Sequence, residues 1–326
     1  MRDIACPSCG GSNVQVLSRG GDYLLVRCGG CTLTMKLIEN LNRERVQDLQ
    51  DSTYNDVYGR TRLKIHDRMA RHRLEFLTRF VTSGELLEIG CATGEFLELA
   101  GDIGFDVLGV DTSRVFTAWA SKKGLAVRHG RVEDINLDLS RFDVVAAFHL
   151  LEHIENPLDF LRRILSHLKP GGLFYITTPN VESLSNRVFG YRHPNFQQAD
   201  HLFFYSETSL TYLLKRAGFN VLHISSNEYV HHLLTSLKGF LALQKVTSLN
   251  KSGGDVQSSE GPRYPDLQGP RKLAKRILSA SPYVVGALLY PILRPYGLLV
   301  ERWGRGHELV TVAQRPTGQA CANPAG

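Results

Sequence analysis

The chain has 326 residues, 43% hydrophobic and 21% charged, with a formal net charge of +6. That length holds one large domain or a domain with appendages. The composition is ordinary for a soluble globular protein, which sets aside disordered and membrane-embedded classes. The charge excess permits acidic partners without demanding one, and the basic residues at 60–79 and 271–276 read as solvated helix faces.

Residues 1–20 are polar and carry Cys6 and Cys9, so no signal peptide is expected. The longest apolar stretch, 283–303, is cut by Pro291, Arg294, Pro295 and Glu301 and is a poor transmembrane candidate. A cytoplasmic chain with reduced cysteines is the expectation.

Residues 1–38 hold Cys6-Pro7-Ser8-Cys9 and Cys28-Gly29-Gly30-Cys31, two C-x-x-C pairs 18 residues apart. That spacing matches a zinc ribbon, each pair forming a knuckle and four thiolates closing a tetrahedral site. Asn13 to Leu17 and Tyr23 to Arg27 read as a hairpin across Gly20-Gly21-Asp22. So small a ribbon cannot hold itself by burial, so Zn2+ is expected to be structural and to supply its folding energy. A redox C-x-x-C is the alternative, and it lacks a βαβ context here.

Residues 39–82 read as a helical bridge, with Leu63, Ile65, Met69, Leu74, Phe76, Leu77 and Phe80 mostly at helical spacing. His66 and His72 among the arginines read as surface. Alternation follows: strand 85–90, helix 94–102, strand 105–111, helix 113–123, strand 125–129, then strand 142–148, helix 157–168 and strand 172–178. Repeated βα units imply a parallel, doubly wound sheet over a core at 83–226. Asn156 and Pro157 mark one helix start, and Lys169-Pro170-Gly171-Gly172 its end. Helix 207–217 and strand 219–225 follow. Residues 227–306 read as a helical insertion with a mobile linker at 248–270, 307–314 as a last core strand, and 315–326 as a disordered tail.

One turn organises this core. The apolar run Leu86 to Ile89 leads into Gly90-Cys91-Ala92-Thr93-Gly94 and then a helical pattern. Glycines there admit sharp turns and close ligand approach, and the next helix aims unpaired N–H groups at the turn. Asp111 ends the second strand 17 residues past Gly94, where an acid can accept from both hydroxyls of a ribose. Together these fit a nucleoside-type cofactor; an ordinary tight βα turn is the bland reading.

The spacing is not G-x-G-x-x-G. At this point the chain resembles the class I S-adenosylmethionine-dependent methyltransferases, whose first motif is E/D-x-G-x-G-x-G. Glu88, Gly90 and Gly94 match it, and Ala92 stands for its middle glycine. The resemblance continues through Phe142-Asp143-Val144-Val145, Leu168 to Gly172 and Thr178-Pro179-Asn180. It implies a Rossmann-like α/β fold with a seven-stranded sheet, the last strand antiparallel and inserted between its neighbours. It also implies S-adenosyl-L-methionine as cofactor. Glu88, Gly90, Cys91 and Gly94 would then face its methionine part, Asp111 and Thr112 its ribose. Asp134, with Glu133 as rival, would meet the adenine edge.

The fourth strand runs into Phe148-His149-Leu150-Leu151-Glu152-His153. Methyl transfer asks the protein mainly to align an acceptor and take its proton, which a histidine can do. The bland reading is loop polarity and helix capping. This segment resembles ubiquinone-pathway O-methyltransferases, whose E-x-x-E-H pattern holds a divalent metal near the acceptor. Here His149 replaces the first Glu while Glu152 and His153 match, so Mg2+ becomes an open expectation. His201, before Leu202-Phe203-Phe204-Tyr205, is a fourth candidate for the acceptor site.

The resemblance implies methylation, most plainly O-methylation, of a small molecule or a glycan precursor. Two other readings compete: a zinc-ribbon RNA methyltransferase and a non-catalytic cofactor-binding protein. Nucleic acid is disfavoured because basic and aromatic residues do not interleave. The 271–303 stretch could touch a membrane surface as a peripheral element.

Overall fold

The computed structural model describes residues 5–20, 23–38, 60–198, 200–229 and 294–318. The expected bridge over 39–59, the linker 248–270 and most of the 271–303 stretch lie outside them. Among the described residues no helix is long and apolar enough to cross a membrane.

Near the amino terminus, β1 (Val14–Arg19), β2 (Tyr23–Cys28) and β3 (Thr34–Ile38) form an antiparallel meander. The hairpin expected across 20–22 is β1–β2. The third strand was not read from the sequence, nor was its partner. That partner is β9, Phe203–Phe204, joined to β3 at Thr34↔Phe204 and Met35↔Phe203.

Between β3 and β9 the alternation expected from the sequence takes shape. The strands are β4 (Gly84–Ile89), β5 (Phe105–Asp111), β6 (Val127–His129), β7 (Phe142–Phe148) and β8 (Leu168–Pro179). After β9 come β10 (Asn220–Asn227) and β11 (Glu308–Gln314). All but β9 form one sheet in the order β10-β11-β8-β7-β4-β5-β6. β4, β5, β6, β7 and β8 pair in parallel, and β11 runs antiparallel to β8. The last strand is thus inserted beside β10, as the resemblance implied. Both faces of the sheet carry buried apolar side chains, which is why its strands read as continuous apolar runs rather than alternating ones.

Some boundaries differ from the sequence reading. The Lys169-Pro170-Gly171-Gly172 stretch lies inside β8 instead of ending a helix. Gly171 takes φ +83°, and register shifts between Phe142 and Val144 absorb the kink. Asn156 sits at the N-cap without a side-chain cap bond, so Pro157 marks that start alone. Arg315, expected to open the tail, is buried, with its guanidinium on Ser140 Oγ and the carbonyls of Leu165 and Leu168.

The chain packs as two units: Met1–Val181 with Ala199–Ser226 and Glu308–Gly326, and Glu182–Gln198 with Asn227–His307. The second holds the short helices Leu184–Phe189 and Pro194–Gln197 and a helix over 294–302. Within it Leu184 N donates to Arg305 O at 2.9 Å, and Arg305 Nη1 pairs with Glu182 Oε2 at 3.0 Å.

Candidate functional site

The carboxyl ends of the parallel strands carry the candidate site residues, where open α/β sheets bind their ligands. After β4 the backbone turns through left-handed conformations at Gly90 (φ +76°), Ala92 (+46°) and Gly94 (+83°). A Cβ on Gly94 would press on Leu125 Cδ1, the movable end of that side chain, so it is the positive φ that favours glycine there. Ala92 tolerates its positive φ because its N–H donates to Asp111 Oδ2 at 2.8 Å. Asp111 Oδ1 accepts from Ser113 N, also at 2.8 Å. One carboxylate therefore joins the end of β5 to the glycine turn.

Glu88 is buried on β4 with Oε2 lacking a hydrogen-bond partner. Burial pushes its carboxyl well above the usual range, against the pull of Arg73 nearby. Arg73 comes from the helix Arg60–Leu77, with its guanidinium 4.2 Å from the Phe148 ring centroid and Nε unpartnered. The sequence reading had placed it on a solvated face. Cys91 is buried, and burial pushes its thiol up, away from a nucleophile's range.

Thr112 is exposed, and its carbonyl accepts from His129 Nε2 at 3.0 Å. Asp134 is exposed in the turn after β6, while Glu133 pairs with Arg131 at 3.6 Å. A shallow depression lined by Arg114, Thr117 and His129 lies on the helix after β5 and includes none of the expected site residues.

β7 lies beside β4, so the loop after it reaches the same end of the sheet. His149 opens this loop at φ +51°. Its Nε2 is 2.8 Å from Glu308 Oε2, and its Nδ1 is 3.4 Å from Glu152 Oε1. Both carboxylates are buried. Burial works to lower the His149 pKa, but the bonds to Glu152 and Glu308 outweigh it and carry it up to about 9. Burial likewise works to raise Glu152, and the His149 bond brings it down to about 2. Glu152 Oε2 also accepts from Thr178 Oγ1 at 3.0 Å. Glu308 is not among the sequence-expected site residues; its only signal is an acid opening the last strand.

His153 Nδ1 donates to the Asp200 carbonyl at 2.9 Å. A carbonyl can only accept, so neutral His153 carries its lone pair on Nε2. His201 is buried with Nδ1 unpartnered, its ring edge-on to His153 at 4.8 Å. Burial lowers it to about 4. Ligand atoms of Glu152, His153 and His201 lie within 4.8 Å of one another. One carboxylate and two imidazoles form a donor set unlike the oxygen-rich sphere Mg2+ takes. His149, standing where the resembled pattern has its first acid, is already paired. The expected Mg2+ therefore does not fit these residues.

The ribbon cysteines converge. Cys6 and Cys31 Sγ are 3.5 Å apart, Cys9 and Cys28 Sγ 3.4 Å, and all four lie within 4.8 Å of one another. A tetrahedral ion with about 2.3 Å metal–sulfur bonds separates its ligands by about 3.8 Å, so the cluster fits a four-thiolate site.

A family model described as "Methyltransferase domain" matches residues 61–224. A probable S-adenosylmethionine-dependent methyltransferase of Mycolicibacterium smegmatis is 30% identical over 139 residues, 42% of this chain and 52% of that protein. A ubiquinone biosynthesis O-methyltransferase of Roseobacter denitrificans is 35% identical over 116 residues, 33% of this chain and 47% of that one. The chain thus spans about half the length of these curated relatives. A SAM-dependent methyltransferase structure from Archaeoglobus fulgidus covers 81% of this chain and 99% of its own, at 17% identity and TM-score 0.48.

Proposed function

Because the chain belongs to the methyltransferase-domain family, we propose that it is an S-adenosylmethionine-dependent methyltransferase acting on an oxygen of a small molecule or sugar precursor. The observation that carries this reading is the meeting of two features on adjacent strands. The glycine turn held by Asp111 follows β4, and the Glu152–His153 cluster follows β7.

When bound, S-adenosylmethionine supplies a methyl group on a sulfonium. The chain's own groups match the rest of that molecule. The unpartnered Glu88 Oε2 and Arg73 Nε suit the ammonium and carboxylate of its amino-acid end. Asp111 suits the ribose hydroxyls by its place at the end of β5 beside the glycine turn, and Asp134 or Glu133 the adenine edge. At the acceptor side His153 Nε2 takes the hydroxyl proton, because its lone pair is open. His149 cannot, since both its nitrogens face carboxylates. Buried His201 and Glu152 line the same spot. No step passes through Mg2+.

Incubation with labelled S-adenosylmethionine and fractionated cell extract should yield a labelled small product. Label found only in RNA, or nowhere, would overturn the reading. Asp111→Ala should weaken the cofactor by about 1.5–3 kcal/mol, the worth of a charge-assisted bond. Calorimetry with unchanged affinity would remove the ribose assignment.

The four cysteines are proposed to hold structural zinc. Freshly purified reduced protein should contain about one zinc per chain, as a four-thiolate site does. Cys28→Ser should lose it, read by elemental analysis.

A further inference from the structure

The ribbon is bonded into the loop that carries His201. β3 pairs with β9, and Lys36 N donates to Leu202 O at 2.8 Å. Leu202 N in turn donates to Glu152 O at 2.9 Å. Leu202 therefore stands between the ribbon and the acceptor cluster, tied to each by one backbone bond, and His201 is the residue before it.

Side chains close the same seam. Cys6, Cys28, Cys31, Leu33 and Met35 share one apolar core with Phe203 and Tyr205. Lys36 Nζ lies 5.0 Å from the Tyr23 ring centroid and 5.7 Å from that of Phe204. The Arg216 guanidinium, on the helix after β9, donates to the Ser8 carbonyl between the first two cysteines. Fully buried Tyr205 shares that core with Cys6 and Cys31 and has Glu152 within electrostatic reach.

We propose that the ribbon buttresses the acceptor site through Leu202, its metal-closed form positioning His201 and the main chain of Glu152. An ion on the four thiols, which lie within 4.8 Å of one another, would tie the first knuckle to the second, which lies between the end of β2 and the start of β3. If β3 loosens, β9 loses its sheet partner. A two-residue strand cannot stand alone, so the His201–Leu202 segment loosens with it. The cofactor turn is secured independently, by Asp111 and by the central place of β4 in the sheet. Metal loss should therefore disable acceptor binding and spare the cofactor.

This inference rests on the cluster being the acceptor site and the cysteines a zinc site. Its test needs no acceptor. Amide hydrogen exchange is compared for the full zinc-loaded chain, the same chain after chelation, and Cys28→Ser, with S-adenosylmethionine affinity measured on each. In both zinc-free forms exchange over 150–154 and 200–206 should rise about tenfold or more, the signature of local opening. Exchange over 84–111 and cofactor affinity should not change. Unchanged exchange at 200–206 after verified zinc loss would overturn the proposal. So would loss of protection throughout 84–111, or a purified chain that holds no zinc. Failure of methyl transfer in the zinc-loaded chain would instead refute the proposed activity, leaving the exchange result standing.

Discussion

Replacing His153 by alanine is expected to lower turnover about 10²–10⁴-fold, the usual worth of a positioned general base. S-adenosylmethionine affinity should be unchanged, because His153 follows β7 and touches neither Asp111 nor the glycine turn. The effect should appear in kcat rather than in cofactor binding. The Asp200 carbonyl sets the ring so that Nε2 carries the lone pair. His153→Gln offers an amide in place of the imidazole but no base, so it should be nearly as slow as His153→Ala. Full turnover by His153→Ala on the true acceptor would move the role to His201.

His149→Ala is expected to act on stability. It removes the cation shared by two buried carboxylates, Glu152 and Glu308. Taking one partner from a buried ionic cluster costs roughly 3–5 kcal/mol, because the remaining charges stay desolvated and face each other. Chemical denaturation at neutral pH would measure the loss, and a change below about 0.5 kcal/mol would show that the ion cluster contributes nothing.

The sign of its pH dependence follows from the two shifts. Folded His149 titrates at about 9, above its ordinary 6.5. Its contribution is fully present below about pH 6.5 and is lost as pH rises through 9. Glu152, brought down to about 2 from 4.5, contributes above its ordinary value and loses that as pH falls through 2. The native cluster should therefore stabilise most between about pH 4.5 and 6.5. In His149→Ala the two carboxyls should titrate upward instead, so the deficit should shrink on acidification.

Residues close in the chain made much of this legible from the sequence. A parallel strand, a glycine turn and an acid one strand later are local backbone demands, and each leaves its residues at fixed spacing. The C-x-x-C knuckles are equally local, which is why Cys6, Cys9, Cys28 and Cys31 could be grouped before any fold was known. Helix starts and strand runs followed from the same rules; at 168–172 a glycine kink inside β8 resembles a helix stop, and the two-residue β9 is defined only by its pairing with β3.

Only the tertiary structure decided which side chains share a charge. Glu308 meets His149 across 159 residues because β11 inserts beside β8, and strand order leaves no spacing in the sequence. Arg73 looked like one cation among many on a basic helix. Its place near Glu88 depends on how that helix packs against the sheet. Asp200 selects the His153 tautomer, and Leu202 ties the ribbon to Glu152, through bonds between segments 47 and 50 or more residues apart. Periodicity assigns a residue to a face of its own element. Which two faces meet is set by packing the whole sheet, and that is what sets His149 between two carboxylates, His153 on the Asp200 carbonyl and His201 in a buried place.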